Sequence, residues 1–130
     1  MLVGENVTKV RRAYEAFTTG DLAALMDMFA EDAVWHVAGQ GGLSGIKRGR
    51  TEVFDYFGEL VGRSSGTLEL SLHDVVGGED HTVGLHHNHA ERDDRVLDQN
   101  VVLVVHISDG RFTEVWEFHE DQAGHDAFWT

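Results

Sequence analysis

The hydrophobic pattern of this chain changes its period once, near the middle, and that change limits the folds it can adopt. In the first half, apolar residues recur every three or four positions, as Val7, Val10, Tyr14 and Phe17 do, which is typical of one helix face. From Thr67 onward, long runs of partly alternating apolar and polar residues indicate strands. Because helices precede strands instead of alternating with them, the pattern predicts an α+β fold without βαβ units.

The predicted elements are separated by glycines and by short polar turns. Gly20 is expected to end the first helix, and Asp21 and Thr51 are expected to cap the second and third helices. The segment 39–45 is rich in glycine and is predicted to be a loop. The predictions are helices over 5–18, from Asp21 and from Thr51, strands over 32–38, 67–76, 81–91, 96–107 and 111–119, and a segment, 121–128, compatible with a short helix.

Length and composition predict one domain over residues 1–130. The 130 residues are 42% apolar, which is enough for one core. Cysteine is absent, so disulfides and thiolate metal sites are excluded, and a cytoplasmic location is expected. No apolar run approaches the roughly 20 residues of a membrane helix. The stretch from Met1 to Arg12 lacks the layout of a signal peptide, so no secretion is expected.

The charge of the chain argues against binding to nucleic acid. The formal net charge is −13 at pH 7, so a polyanion would be repelled. The acidic residues are spread along the chain, as on a solvated surface. Nine histidines are many for this length, and they titrate near neutral pH.

Four short motifs, in this order and spacing, resemble the nuclear transport factor 2-like superfamily and within it the SnoaL-like branch, which is related to polyketide cyclases and ketosteroid isomerases. The motifs are Gly20-Asp21-Leu22, the segment 29–35 (FAEDAVW), the segment 45–50 (GIKRGR) and the segment 109–117 (DGRFTEVWE). The resemblance covers nearly the whole chain. It implies a cone-shaped fold with three N-terminal helices packed on a curved antiparallel sheet around a pocket for a small, largely apolar molecule.

Strand alternation, with its phase set by the resemblance, predicts which side chains face the pocket. The residues expected to bind substrate are Trp35, Val37, Tyr56, Phe57, His86, Asn88, Gln99, Val101, Leu103 and Val115, and those expected to act in catalysis are Glu117 and His119. Apolar walls with a few polar groups suit a small-molecule site. The alternative is that these side chains only fill the core.

Several positions depart from relatives whose chemistry is known. Where ketosteroid isomerases have a carboxylate base, this chain has Val37, and where they have a second oxyanion-hole acid it has Leu103. Their oxyanion-hole tyrosine aligns near Ala13, with Tyr14 one place out of register. The resemblance therefore does not extend to ketosteroid isomerisation. Limonene-epoxide hydrolases, another branch of the superfamily, use an aspartate–arginine–aspartate array, and Glu117 matches one of these aspartates. The segment 91–94 (ERDD) looks like the rest of the array, but it is expected in a solvated hairpin turn.

Glu117 matches the acid/base position of SnoaL-type polyketide cyclases. Desolvation by apolar walls is expected to raise its pKa and suit it to moving a proton near neutral pH. His119 has the same facing and is expected to orient or relay that proton, while His86 or Asn88 would bind a substrate carbonyl. This predicts a lyase or isomerase that needs no cofactor and acts on an apolar carbonyl compound. The alternatives are a non-catalytic binding domain, or Glu117 and His119 satisfying each other.

The other face of the sheet is also expected to be apolar and rich in histidine. Its predicted members are His87, His89, Val102, Val104, His106, Trp116 and Phe118. Such a surface predicts a homodimer, as relatives commonly form, or a C-terminal segment folded over it. His87 and His89 share this face and invite a metal interpretation, but no third ligand is evident, so no metal is expected.

Overall fold

The computed structural model describes residues 2–130. The elements are α1 (Leu2–Thr19), α2 (Leu22–Asp27), β1 (Phe29–Val37), β2 (Gly45–Arg48), α3 (Arg50–Arg63), β3 (Glu69–Gly77), β4 (Thr82–Arg92), β5 (Arg95–Ser108), β6 (Arg111–His119) and α4 (Gln122–Trp129). The order confirms the predicted α+β class. Within residues 2–130, no helix is both long enough and apolar enough to cross a membrane.

The six strands form one sheet in the order β2-β1-β6-β5-β4-β3. The strands β3 to β6 are an antiparallel meander, as predicted. However, β1 pairs with β6 in parallel, so the sheet is mixed and not wholly antiparallel. The predicted loop, 39–45, ends where an unpredicted strand begins: β2 is a four-residue strand that pairs with the free edge of β1. Its short length gives too little alternation to detect.

The helices pack on one face of the sheet, with α1 against β3 and α3 against β1. Asp21 caps α2 as predicted, because its carboxylate accepts a hydrogen bond from the Ala24 amide at 3.2 Å. The predicted cap at Thr51 is wrong. The N-cap of α3 is Gly49, which has a φ of 88° and makes no side-chain cap bond. A positive φ favours glycine, so the chain turns into α3 two residues earlier than predicted.

The C-terminal helix α4 covers the inner, helix-bearing side of the sheet. Gln99 on β5 accepts a hydrogen bond from the Asp121 amide at 3.0 Å and donates one to the Asp121 carbonyl at 3.1 Å. Arg63 and Arg92 donate to carbonyls at the other end of α4. His125, Phe128 and Trp129 are buried. The alternative that this segment folds over the outer face is therefore wrong.

Candidate active site

A cavity of about 80 Å³ lies between the inner face of the sheet and helices α1 and α3. Most of its wall is apolar. The polar side chains of the wall are Tyr14, Tyr56, His86, Asn88, Glu117 and His125, together with the indole of Trp35. An apolar hollow with a few convergent polar groups is the usual form of a small-molecule site.

The structure brings most of the predicted pocket residues to this cavity. Its wall includes Trp35, Tyr56, Phe57, His86, Asn88, Leu103, Val115 and Glu117. Val37, Gln99 and Val101 are buried but lie outside the wall. Gln99 holds the start of α4, and Val101 pairs in register between His86 and His119. His119 is also outside the wall, behind Glu117.

Glu117 is the centre of a hydrogen-bond network in the cavity wall. Its Oε1 accepts from Trp35 Nε1 at 3.0 Å and from the Tyr56 hydroxyl at 2.8 Å. Its Oε2 lies 2.5 Å from His119 Nε2. Trp35 comes from β1, Tyr56 from α3 and His119 from β6, so three elements fix the carboxylate. Such fixed donors orient a carboxylate and favour its charged form.

The expectation of a raised Glu117 pKa is wrong. Burial alone would raise it, but the hydrogen bond from His119, the charges of His119 and His125, and the bond from Tyr56 lower the Glu117 pKa below its ordinary value. The sequence indicates that Glu117 is desolvated, but it does not show the hydrogen-bonded and charged neighbours that lower the Glu117 pKa. The carboxylate is therefore ionised at neutral pH.

His119 is the charged partner of Glu117. Burial lowers its pKa, but the hydrogen bond and charge of Glu117 outweigh that effect, so the His119 pKa lies above its ordinary value. Its Nδ1 lies 3.1 Å from Gln122 Oε1, and its side chain is fully buried. His119 is thus held on both ring nitrogens and positions Glu117 from behind.

His125 is a site residue that the sequence did not reveal. Its ring stacks on that of His119 with centroids 3.4 Å apart and an angle of 13°. Burial and the neighbouring charge of His119 lower the His125 pKa to about 4, so it is neutral at pH 7. The segment 121–128 is compatible with a short helix, but the sequence does not tell where that helix docks.

Tyr14 also contributes to the site, contrary to the register inferred from the isomerases. Its hydroxyl lies 2.7 Å from His86 Nδ1, and both residues line the cavity. A polar group is therefore present near the position where the alignment suggested only Ala13. A helix brings neighbouring positions within 100° of each other, so a shift of one residue still reaches the same cavity.

Glu117, His119 and His125 are the residues that could hold a metal, since one donor atom from each lies within 4.8 Å of the others. A glutamate with two imidazoles is a known zinc ligand set. Here, however, the two rings are nearly parallel, so their lone pairs do not converge on one point. His119 Nε2 is also bonded to Glu117. The arrangement fits a proton-sharing pair better than a coordination sphere.

The side chains predicted to lie on the outer face of the sheet are found there. His36 stacks on Trp116 with centroids 5.4 Å apart, and Phe118 is 49% exposed. His87 and His89 contact separate carboxylates, those of Asp98 and Glu91. His87 and His89 thus each contact a different carboxylate.

Residues 10–115 match the family model described as the SnoaL-like domain. An uncharacterised protein of Mycobacterium tuberculosis is 36% identical over 121 residues, covering 92% of each chain. Among solved structures, Bal32a from a soil-derived mobile gene cassette is 34% identical and covers 98% of each chain, with a TM-score of 0.95. IdmH, a candidate polyketide cyclase from Streptomyces antibioticus, is 19% identical over 87% of this chain and 90% of its own, with a TM-score of 0.71, which indicates a shared fold.

Proposed function

The chain belongs to the SnoaL-like domain family, and from that premise we propose that it binds a small, largely apolar carbonyl compound and acts on it by acid/base catalysis without a cofactor. One observation carries the proposal. An ionised carboxylate, Glu117, lies in the wall of a largely apolar cavity, fixed by Trp35, Tyr56 and His119. A positioned carboxylate in a dry site is suited to general base catalysis.

The proposed step is removal of a proton from the carbon next to a carbonyl. The C–H bond breaks, the proton passes to Glu117, and the electron pair moves into the enolate. Oε1 already accepts two hydrogen bonds and Oε2 accepts one, so Oε2 has the freer lone pair for the proton. Return of the proton elsewhere gives isomerisation, while cyclisation or dehydration of the enolate would be lyase-type outcomes.

The surrounding residues are assigned as positioning groups. Trp35 and Tyr56 hold Oε1, and His119 holds Oε2 while its charge stabilises the carboxylate. His125 keeps the His119 ring in place by stacking on it. Trp35, Phe57, Leu103 and Val115 supply apolar contact to the substrate, and His86 and Asn88 its polar contact.

The size of the cavity limits the substrate. An engineered protein cavity of about 150 Å³ accepts benzene, and the cavity here is about 80 Å³. The cavity is therefore about half as large, so a molecule with a single small ring enters only with some movement of the walls, and a steroid or a multi-ring polyketide would require a much larger movement. The fold shared with IdmH, a candidate polyketide cyclase, does not by itself fix a reaction or a substrate.

A non-catalytic binding domain is the second candidate, and one observation favours it. The Glu117 carboxylate already accepts bonds from Trp35, Tyr56 and His119. A carboxylate whose charge is well compensated is a weaker base. In this case the cavity would hold an apolar metabolite, and Glu117 would fix its orientation.

Exchange of α-protons for deuterium separates the two candidates without knowledge of the natural substrate. Cyclopentanone in D₂O is followed by NMR with wild-type protein, Glu117→Gln, and the outer-face control Glu114→Gln. Catalysis predicts exchange above the buffer rate that falls about 100-fold or more in Glu117→Gln and is unchanged in Glu114→Gln. Binding of the ketone with exchange at the buffer rate, or undiminished exchange in Glu117→Gln, would refute the catalytic assignment.

We also propose that two copies associate through the outer sheet face. Phe118 is 49% exposed there, beside Val102, Val104 and Trp116, and such an apolar surface is rarely left wet. Phe118→Asp should convert a dimer into a monomer in sedimentation velocity, while Leu22→Asp on α2, also exposed, should not. A wild-type monomer at micromolar concentration would contradict the proposal.

A further inference from the structure

Three polar side chains of the cavity wall, Tyr14, His86 and Asn88, take no part in the network around Glu117. Tyr14 comes from α1, and His86 and Asn88 come from β4, where both are inner-face residues two positions apart. The Tyr14 hydroxyl lies 2.7 Å from His86 Nδ1, with the rings edge to face at 5.1 Å. These residues therefore form a second polar group in the cavity.

The proton positions in this group follow from its surroundings. Within residues 2–130, the Tyr14 hydroxyl has no other hydrogen-bond partner than His86 Nδ1. Burial raises the pKa of Tyr14, so the phenol keeps its proton. Burial also lowers the pKa of His86 to about 4, so the imidazole is neutral at pH 7. The hydroxyl then donates to Nδ1, and the imidazole proton is on Nε2.

The backbone of β4 is adapted to this arrangement. A Cβ atom at Gly84 would lie 2.6 Å from the Tyr14 hydroxyl, which is shorter than any normal contact between carbon and oxygen. Only glycine leaves room for the hydroxyl at this position of the strand. The space for the Tyr14 hydroxyl is therefore provided by the backbone of β4 at Gly84.

Asn88 provides the observation that points to a ligand. The residue is 8% exposed and lines the cavity, and among residues 2–130 its Oδ1 is buried without a hydrogen-bond partner. The Asn88 side chain favours the protonated form of His86, but no bond of normal geometry joins the two. A buried amide group left unpaired costs about 1–3 kcal/mol, so a partner brought by a ligand would remove that cost.

We propose that Tyr14, His86 and Asn88 form the recognition site for an uncharged hydroxyl group of the substrate, and that the cavity selects neutral compounds over carboxylates. The proposal rests on the proposed function only in taking this cavity as the substrate site. The imidazole Nε2–H donates to the ligand hydroxyl oxygen, and the ligand O–H donates to Asn88 Oδ1. Tyr14 fixes the tautomer and does not itself touch the ligand.

The charges around the cavity support selection against anions. Among the described residues that line it, none is a lysine or arginine, and Glu117 is an anion. His86 and His125 are neutral at pH 7, and the charge of His119 is neutralised by Glu117 behind the wall. Lys47 is 5.5 Å from the Tyr56 ring but outside the lining. A buried anion without a cationic partner is strongly disfavoured.

Three probes of similar size test the proposal: cyclopentanol, its hydrocarbon isostere methylcyclopentane, and cyclobutanecarboxylate. Dissociation constants are measured by ¹H–¹⁵N NMR titration of the full chain at pH 7. We expect cyclopentanol to bind at least about tenfold more tightly than the carboxylate. Asn88→Leu should weaken cyclopentanol about fivefold and leave methylcyclopentane unchanged. Equal loss for both neutral probes, or carboxylate binding as tight as alcohol binding, would overturn the proposal.

The imidazole nitrogens of His86 give a measurement that does not depend on the stability of the Asn88 variant. In ¹⁵N-labelled wild-type protein, cyclopentanol should shift the Nε2 resonance of His86 and leave it protonated, and a shift confined to Nδ1 would refute the assignment. The same titration in Glu117→Gln separates this proposal from the catalytic one. Cyclopentanol binding that is retained in Glu117→Gln while α-proton exchange is lost supports both proposals. Wild-type protein that binds cyclopentanol no more tightly than methylcyclopentane, with α-proton exchange above the buffer rate, contradicts only the recognition site.

Discussion

Each face of the sheet pairs a carboxylate with an imidazole, but in different surroundings. On the inner face, Glu117 and His119 are joined at 2.5 Å, with side-chain exposures of 7% and 0%. On the outer face, His87 contacts Asp98, with exposures of 40% and 61%. Both pairs shift their pKa values in the same directions. The hydrogen bonds that His87 donates to Asn100 Oδ1 and Asp98 Oδ1 raise the His87 pKa, and the bond from His87 lowers the Asp98 pKa.

The comparison shows that the two pairs differ in their burial and not in the direction of their pKa shifts. A solvated pair gains little from its partner, because water screens the attraction and solvates each member alone. A buried pair must keep both charges or lose both, since a single unpaired charge in the core is costly. The inner pair therefore maintains a defined protonation state in the cavity wall. Three experiments compare the two faces, from the largest expected effect to the smallest.

The largest effect is expected from acid. His86 and His125 on the inner side have pKa values of about 4 in the folded protein, against about 6.5 unfolded. Between these values the unfolded chain binds protons that the folded chain does not. The free energy of unfolding should thus fall as the pH drops from 6.5 to 4, by about 3 kcal/mol for each group. Urea unfolding at a series of pH values measures this.

His119 and His87 have raised pKa values, so their contributions are complete below pH 6.5, decline as the pH rises from 6.5 and are lost above their folded pKa values. They do not add to the acid loss. His125→Gln should remove about half of the slope, because glutamine does not titrate, and His87→Gln should leave the slope unchanged. An unfolding free energy that is constant between pH 6.5 and 4 would show that the inner histidines are already hydrated.

The second effect is expected from removal of one histidine on each face. His119→Ala leaves the buried Glu117 carboxylate without its cation and should lower the free energy of unfolding by about 3–5 kcal/mol at pH 7. His87→Ala on the outer face should change it by less than about 1 kcal/mol. Chemical denaturation of both variants measures the difference. Similar losses in the two variants would mean that the inner pair is as well solvated as the outer one.

The smallest effect concerns neutral hydrogen bonds. Tyr14→Phe removes the bond to His86 on the inner side, and Thr113→Val removes the 2.8 Å bond to His106 on the outer side. Loss of the buried bond should lower the unfolding free energy by about 1–2 kcal/mol, since His86 Nδ1 cannot reach water. Loss of the outer bond should lower it by about 0.5 kcal/mol or less. A larger loss for Thr113→Val would reverse the comparison.

Much of the fold was predictable because its signals are local or periodic. The predicted final strand, 111–119, has the observed limits, since the Gly110 turn marks its start. Alternation gave the facing of Trp35 and Glu117, because one anchor per strand fixes every other side chain. The parallel pairing of β1 with β6 was not predictable, since it joins strands 74 or more residues apart in sequence, between Val37 and Arg111, with no local signal.

The site was harder to predict because it depends on how separate elements dock. His125 entered the site through the placement of α4, which periodicity does not give. Tyr14 lines the cavity because of the way α1 is rotated about its axis, whereas the alignment with the isomerases placed their tyrosine one residue earlier, at Ala13. The Glu117 pKa was expected to rise because desolvation is visible in an apolar strand pattern, whereas the opposing bonds from Tyr56 and His119 require coordinates.

A ¹³C NMR titration of the glutamate side chains tests the central claim, that Glu117 is held ionised inside the cavity by its hydrogen-bonded partners, most directly. Glu117→Gln identifies the Glu117 Cδ resonance by its disappearance, and the imidazole resonances of His119 are followed in the same samples. The expected result is a Glu117 midpoint below 4.5 together with a His119 midpoint above 6.5. A Glu117 midpoint above 4.5, with His119 neutral at pH 7, would contradict the claim.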